Sequence, residues 1–253
     1  MIKNENLKVI EKVASMIETS NNIVFFGGAG LSTESGIPDF RSIDGLYNQK
    51  YKYPPETMLS HTFFMNNPGE FYRFYKDKCL APMIKAEPNV AHKFLAKLEE
   101  MGKLKAIITQ NIDDLHHRAG SKKIFELHGT SFKNHCMECG KLYKISDILK
   151  AIEIPRCDCG GIIKPDVVLY EEQLDSNCIS HSIEAIKSED TLIIAGTTLV
   201  VQPAASFINY YSGNKMILIN LSSVPGETSI DYVIHEKVGE VFSEIAKTLG
   251  IIY

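Results

Sequence analysis

The chain alternates between short apolar runs and longer amphipathic stretches. Apolar residues dominate positions 23–26, 105–109, 191–195 and 216–220. Each run has the length of a strand and includes β-branched or aromatic side chains, so we predict a buried strand at each position. Polar or glycine-rich residues come at the end of every run. These strand ends are where we look for chemistry.

Helical spacing separates the predicted strands. Residues 7–17 and 89–101 carry apolar side chains at three- and four-residue intervals, which is typical of amphipathic helices. Asn89 suits a helix N-cap, and Gly102 suits a helix end. This alternation predicts an α/β fold with a doubly wound, parallel Rossmann-like sheet covered by helices on both faces. Ligands of such sheets bind at the carboxyl ends of the strands.

A glycine-rich loop follows the first predicted strand. Gly28, Gly30 and Gly36 would let the backbone approach a phosphate, with amide groups facing the negative charge. Their spacing differs from the G-x-G-x-x-G of dehydrogenases. Phe40 and Arg41 add a bulky aromatic ring and a fixed cation just beyond the loop. We therefore predict a dinucleotide site that acts on its ligand rather than only holding it.

Polar side chains also follow the other strands. Gln110, Asn111 and Asp113 come directly after the second run, residues 196–198 follow the third, and Asn220 ends the fourth. Amide and carboxylate groups in these positions can face a ligand. The alternative is that Asn111 or Asp113 caps a short helix, which would explain one of them but not all three.

Histidines near these strand ends need separate interpretations. His116 and His117 fit a helix with local partners better than a ligand set. A lone histidine such as His128 is more often structural than catalytic. Its position next to Gly129, where the chain leaves the predicted sheet, and its place among the other polar groups favour a catalytic role.

Two segments interrupt the alternation. Residues 42–88 are rich in aromatics and prolines and predict a helical excursion that covers a cleft. Residues 132–166 contain two cysteine pairs with 17 intervening residues, which predicts a closed, structural zinc ribbon. The second pair is one residue tighter than the usual C-x-x-C spacing. The predicted ligands are Cys136, Cys139, Cys157 and Cys159. Cys79 and Cys178 stand alone and fit packing positions.

Composition narrows the class of protein. The 253 residues carry a formal net charge of −4, which gives no general attraction to nucleic acid or to anionic membranes. No apolar run approaches the roughly 18 residues that span a bilayer. No signal segment follows Met1, so we expect a cytoplasmic protein with reduced cysteines.

Taken together, the motifs resemble the sirtuin family, the NAD-dependent protein deacylases. The resemblance runs from about residue 22 to residue 241. It is carried by the four cysteines and by residues 28–41, 109–120, 127–129, 165–172, 196–205 and 218–220. The family implies one catalytic domain over residues 1–253. Its Rossmann-like part would cover about 1–41, 89–131 and 167–253, with a helical insertion at 42–88 and a zinc-binding subdomain at 132–166.

The resemblance also implies roles for individual residues. Those expected to be catalytic are His128, Asn111 and Asp113, with His128 as the general base on the ribose hydroxyls. Those expected to bind NAD are Gly28, Ala29, Gly30, Thr33, Asp39, Phe40, Arg41, Gln110, Asn111, Ile112, Asp113, His128, Gly196, Thr197, Thr198, Asn220 and Val238. Those expected to bind the acyl-lysine peptide are Val168, Leu169, Tyr170 and Val200.

The implied reaction converts acetyl-lysine and NAD to free lysine, nicotinamide and O-acetyl-ADP-ribose. The zinc would be structural and the protein a monomer that acts on acyl-lysine proteins. Tyr170-Glu171-Glu172 stands where the family commonly has Phe-Gly-Glu. Residues 55–64 offer no cation for an acidic acyl group, so we expect neutral acyl groups.

Other functions stay open at this point. A mono-ADP-ribosyltransferase would share the NAD site but needs His128 less, and a deacylase could prefer longer neutral acyl groups. A dehydrogenase is disfavoured because no acidic residue follows the second strand to bind a ribose. A zinc-ribbon adaptor would leave the polar strand ends unexplained.

Overall fold

The structure is a computed structural model that describes residues 2–42 and 45–253. The strands are β1 (Ile23–Gly27), β2 (Leu104–Thr109), β3 (Ile124–Glu126), β4 (Gly129–Cys136), β5 (Leu142–Lys144), β6 (Ile163–Val167), β7 (Thr191–Ala195), β8 (Met216–Ile219) and β9 (Tyr232–Ile234). The helices are α1 (Asn4–Thr19), α2 (Pro55–Met58), α3 (His61–Asn66), α4 (Pro68–Phe74), α5 (Ala81–Lys85), α6 (Val90–Glu100), α7 (Leu115–Arg118), α8 (Ile145–Lys150), α9 (Ser176–Lys187) and α10 (Val238–Thr248). Short 3-10 segments cover Ala29–Leu31, Thr33–Ser35, Leu46–Asn48, Ala204–Tyr210 and Glu227–Ser229, and a π-helical turn covers Tyr75–Leu80.

The main sheet confirms the predicted fold class. Within the described residues it has six strands in the order β3-β2-β1-β7-β8-β9. All its pairings are parallel. The chain builds outward from β1 in one direction and then from β7 in the other, so the order reverses between β1 and β7. A crevice at the carboxyl ends of these two strands is the expected ligand site.

The predicted strands and helices lie close to the observed ones. Asn89 caps α6, where its side-chain oxygen accepts the backbone N–H of Ala91 at 2.9 Å. Gly102 ends that helix with a φ of 74°, a left-handed conformation that favours glycine. Helices α1, α6 and α10 bury apolar side chains against one face of the sheet, and α9 packs on the other.

The helical insertion and the cysteine segment form a lobe with a shared core. In this lobe the aromatic side chains of α4, such as Phe71 and Tyr72, pack in one cluster with Ile148 and Ile163 from the cysteine segment. An antiparallel sheet in the order β5-β4-β6 frames that segment over residues 129–167, slightly beyond the predicted 132–166. Met1, Ile43 and Asp44, which the predicted boundaries include, lie outside the described residues. Among the described helices, none combines the length and apolar character needed to cross a bilayer.

Candidate active site

The loops after β1 and β7 meet backbone to backbone. The N–H of Gly28 donates to the Ala195 carbonyl at 3.2 Å, and the N–H of Gly30 donates to the Gly196 carbonyl at 2.8 Å. A Cβ on either Gly28 or Gly30 would lie 2.9 Å from backbone atoms of Gly196. Gly196 itself has a φ of 61°. Only glycine fits this close approach, so the crevice floor is bare backbone that a phosphate can approach closely. The N–H groups of Gly28 and Gly30 already donate to carbonyls, so the expectation that these two amides face a phosphate is wrong.

Two side chains hold the glycine loop from outside. Asn89 donates through Nδ2 to the Leu31 carbonyl at 2.8 Å and to the Ser35 hydroxyl at 3.0 Å. The Glu34 carboxylate accepts the backbone N–H of Gly239 at 2.7 Å, in the first turn of α10. The loop is therefore fixed to the starts of two helices that pack on the sheet.

The end of the loop is ordered by one carboxylate and one aromatic ring. The Asp39 carboxylate accepts the backbone N–H of Arg41 at 3.1 Å and of Ser42 at 2.8 Å. The Phe40 ring lies edge-on to the Tyr47 ring, with centroids 5.5 Å apart. The Arg41 guanidinium stands 5.2 Å from the same tyrosine ring. Within the loop, the Thr33 hydroxyl donates to the Gly30 carbonyl at 2.9 Å.

Ser32 connects the buried polar groups that follow β2. Its hydroxyl donates to the Asp113 carboxylate at 2.6 Å and accepts Nδ2 of Asn111 at 3.1 Å. Burial raises the pKa of Asp113, and the hydrogen bond from Ser32 opposes that rise. Asp113 also accepts the backbone N–H of Leu115 at 3.0 Å, so it caps α7 as well. Asp113 can therefore cap α7 and still face a ligand in the crevice.

His128 lies near these polar groups, and one of its ring nitrogens is hydrogen-bonded to the backbone of Gln110. Its Nδ1 stands 3.0 Å from the Gln110 carbonyl oxygen, which can only accept, so Nδ1 carries the proton. Burial lowers the pKa of His128, and the bond to Gln110 opposes part of that change. The lowered pKa favours the neutral imidazole near pH 7, and among the described residues Nε2 has no hydrogen-bond partner. Gln110 in turn donates to the Thr197 hydroxyl at 3.0 Å.

The remaining residues predicted to bind NAD occupy more varied surroundings. Ala29 and Thr198 are half-buried at the crevice. Asn220 is buried, and its Nδ2 donates to the Ser222 carbonyl at 2.7 Å. Ile112 packs against the core of the small lobe, and Val238 is buried at the start of α10. Their contacts with a cofactor stay predictions.

The segment predicted to bind the peptide connects His128 to the helical insertion. The N–H of Val168 donates to the His128 carbonyl at 2.9 Å. The N–H of Tyr170 donates to the Leu59 carbonyl, and the N–H of His61 donates to the Tyr170 carbonyl, both at 3.0 Å. The Tyr170 hydroxyl contacts the Tyr47 hydroxyl. Leu169 is buried, whereas Tyr170 and Val200 are exposed.

The acidic residues Glu171 and Glu172 bind different partners, and only Glu171 departs from the family's Phe-Gly-Glu. Glu172 binds the Lys164 ammonium at 3.0 Å and Nδ1 of His61 at 2.8 Å. Glu171 has a φ of 76°, and its carboxylate accepts the backbone N–H of Thr62 at 2.9 Å. Both therefore hold the segment that follows β6 against α3.

The four cysteines predicted to bind zinc lie close together at one end of the antiparallel sheet β5-β4-β6. Cys136 Sγ lies 3.5 Å from Cys159 Sγ, and Cys139 Sγ lies 3.5 Å and 3.6 Å from those of Cys159 and Cys157. These separations exceed a disulfide bond and suit four thiolates around one ion with Zn–S bonds of about 2.3 Å. Gly140 and Gly160 follow in left-handed turns, so the tighter Cys157-x-Cys159 spacing still closes the set.

Three positioning residues were not among the predicted site residues. No sequence motif indicates a role for Ser32 or Tyr47, apart from their position in or near the glycine loop. Asn89 was predicted only as a helix cap, although its side chain also reaches the loop. In each case the contact joins parts of the chain that the sequence pattern cannot relate.

Comparisons with known proteins bear on the same residues. The family model described as the Sir2 family matches residues 28–203. An NAD-dependent protein deacetylase of Clostridium acetobutylicum is 53% identical over 243 residues, which cover 94% of this chain and 98% of the relative. The chain belongs to the Sir2 family.

Other Sir2 proteins match over similar lengths. An NAD-dependent protein deacetylase of Clostridium perfringens is 55% identical over 240 residues, or 93% of this chain and 98% of that protein. A Sir2 structure with deacetylated p53 peptide and 3′-O-acetyl ADP ribose matches with a TM-score of 0.87 and 36% identity, covering 100% of both chains. A Sir2 structure with p53 peptide and NAD+ matches with a TM-score of 0.83 and 38% identity, again over 100% of both.

Proposed function

We propose that this Sir2 protein is an NAD-dependent protein lysine deacetylase. It transfers the acetyl group of acetyl-lysine to ADP-ribose, with release of nicotinamide and O-acetyl-ADP-ribose. The observation that carries the proposal is the position of His128, whose Nδ1 lies 3.0 Å from the Gln110 carbonyl oxygen and whose Nε2 has no hydrogen-bond partner among the described residues. The names of the relatives and the peptide-bound Sir2 structures support the same reaction.

The crevice between β1 and β7 would hold NAD. The absence of side chains at Gly28, Gly30 and Gly196 would let the phosphates approach the loop closely, and Arg41 would add a positive charge at the loop end. Asn111 and Asp113, which are fixed by Ser32, would hold the carboxamide of the nicotinamide. NAD supplies the anomeric carbon that accepts the acetyl oxygen, with nicotinamide as the leaving group. Asn111 and Asp113 are buried, which would help to exclude water from the nicotinamide pocket.

His128 would move the proton that completes the transfer. A ribose hydroxyl is a weak nucleophile unless a base accepts its proton, and a neutral imidazole is a suitable base near pH 7. The lowered pKa keeps His128 unprotonated, and the Gln110 carbonyl fixes the tautomer. Water then releases the free lysine.

The peptide would add as a strand along residues 168–170 and 199–202. Main-chain pairing at a strand edge tolerates many sequences, which suits an enzyme that acts on varied acyl-lysine proteins. Val168 connects this edge directly to His128 through its hydrogen bond. We propose neutral acyl groups as substrates.

The remaining assignments concern the whole protein. The zinc would be structural, because four thiolates leave no open position for a reacting water. We propose a cytoplasmic monomer without a direct nucleic-acid or membrane partner, in keeping with the net charge of −4.

Mass spectrometry of an acetyl-lysine peptide tests the reaction. The zinc-loaded protein is incubated with the peptide, with and without NAD. Loss of the acetyl mass only with NAD, together with O-acetyl-ADP-ribose, is the expected result. Transfer of ADP-ribose to a protein while the peptide stays acetylated would instead identify a mono-ADP-ribosyltransferase. A butyryl-lysine peptide measured in parallel ranks longer neutral acyl groups.

A further inference from the structure

A second group of metal-binding side chains lies away from the cysteines. One ligand atom each from Asp114, His117 and Glu126 lies within 4.8 Å of the other two. Asp114 and His117 are three residues apart, at the start of α7 and within it. Glu126 is the last residue of β3, the edge strand of the main sheet. The three side chains therefore converge from two separate elements.

The carboxylates in this group lack a hydrogen-bond donor in the described part of the chain, although the charge of Lys133 acts on both of them and that of Arg118 acts on Asp114. In residues 2–42 and 45–253, no hydrogen-bond donor lies within bonding distance of the Asp114 or Glu126 carboxylate. The closest cationic group is Nε2 of His117, 3.7 Å from a Glu126 oxygen, which is longer than a hydrogen bond. The Glu126 side chain is 18% exposed, so water does not fully replace the missing donors. A mostly buried carboxylate without a donor is costly, and a bound cation would remove that cost.

We propose that Asp114, His117 and Glu126 bind one divalent transition-metal ion. Two carboxylate oxygens and one imidazole nitrogen suit ions such as Mn²⁺ or Zn²⁺, and the ligand charges balance a divalent cation. Ligand atoms around such an ion lie about 3 Å apart for bonds near 2.1 Å. Rotation of the three side chains would bring their ligand atoms from the present separations of up to 4.8 Å to that distance. The half-exposed His117 leaves further coordination positions to water.

The ion would connect two elements that border the crevice. Asp114 directly follows Asp113, and Glu126 comes two residues before His128. The proposed site is chemically distinct from the cysteine site, because thiolates select softer ions and manganese prefers oxygen ligands such as the two carboxylates. Mn²⁺ therefore probes this site while zinc stays on the cysteines.

Electron paramagnetic resonance of free Mn²⁺ tests the proposal on the zinc-loaded protein. We expect one bound Mn²⁺ per chain in the wild type. We expect loss of that binding in Asp114→Gly, His117→Ala and Glu126→Gln, at Mn²⁺ concentrations that saturate the wild type. Glu11→Gln removes an exposed carboxylate on α1 and serves as the matched control, which should bind like the wild type.

Asp114→Gly separates loss of a metal ligand from loss of the fold. Asp114 has a φ of 63°, which glycine adopts without strain, so Asp114→Gly removes a ligand and leaves the fold intact. Zinc content and circular dichroism verify that fold. A wild type that binds no Mn²⁺, or an Asp114→Gly variant that binds as well as the wild type, would overturn the proposal. Neither outcome depends on deacetylation, so the result is independent of the proposed function.

Discussion

At the scale of single residues, Ser32 organises the buried end of the crevice. Ser32→Ala removes the donor to Asp113 and the acceptor for Asn111. A buried polar group that loses its partner costs about 1–3 kcal/mol, so we expect kcat/KM for NAD to fall about tenfold or more. Steady-state kinetics against Ser180→Ala, which alters an exposed serine on α9, measure the effect. Wild-type kinetics in Ser32→Ala would contradict this account of the network.

The sequence predicts the residues of this site that carry a local signal and misses those defined only by long-range contacts. Asn111, Asp113 and His128 were predicted because strand ends and a neighbouring glycine are local signals. Ser32 is 79 residues from Asn111 in the chain, and no pattern at that distance indicates that their side chains meet. The group formed by Asp114, His117 and Glu126 also escaped prediction, because only the parallel pairing of β2 and β3 fixes its geometry.

At the scale of elements, Glu171 fixes the segment predicted to bind the peptide, residues 168–170, to α3. A non-glycine residue with a φ of 76° is strained, and its carboxylate partly offsets that by capping Thr62. Glu171→Gly and Glu171→Ala both lose the cap, but only alanine keeps the strain. We expect Glu171→Ala to be less stable than Glu171→Gly by about 1 kcal/mol in urea unfolding. Equal stabilities would show that the turn relaxes without cost.

Element prediction succeeded where burial on both faces leaves a continuous apolar run. The strands β1, β2, β7 and β8 are such cases. Strands β3 and β9 were not predicted, because three residues at a sheet edge, most of them half-buried, leave too short a pattern. Helices α2 to α5 are four to seven residues long, so residues 42–88 show helical character without a clear period.

At the scale of the whole molecule, two buried histidines relate stability to pH. The His92 and His116 rings lie 4.9 Å apart between α6 and α7, and burial lowers both pKa values, that of His92 to about 4. Because the unfolded chain, with a histidine pKa near 6.5, binds the proton first, their stabilising effect is complete above pH 6.5. It declines as the pH falls toward 4.

A variant isolates the contribution of His92 from other titrating groups. We expect the stability advantage of the wild type over His92→Gln to shrink by about 2 kcal/mol between pH 7 and pH 5. Urea unfolding of both proteins at the two pH values measures it. An advantage that stays constant would mean that His92 titrates normally.

The shared core of the small lobe could not be predicted from the sequence. The helical insertion and the cysteine segment were predicted as separate parts, and each contributes side chains to one apolar cluster. Spacing predicted the cysteine set, and apolar runs predicted the sheet. The packing of two interruptions against each other depends on tertiary contacts that neither segment reveals alone.

The central claim is that neutral His128 accepts a ribose proton after nicotinamide has left. The most direct test compares wild type, His128→Ala and His181→Ala, an exposed control, in one reaction with acetyl-lysine peptide, NAD and labelled nicotinamide. We expect His128→Ala to form free lysine at least about 100-fold more slowly, while labelled nicotinamide still exchanges into NAD. His181→Ala should match the wild type in both readouts. Deacetylation by His128→Ala at the wild-type rate would contradict the account.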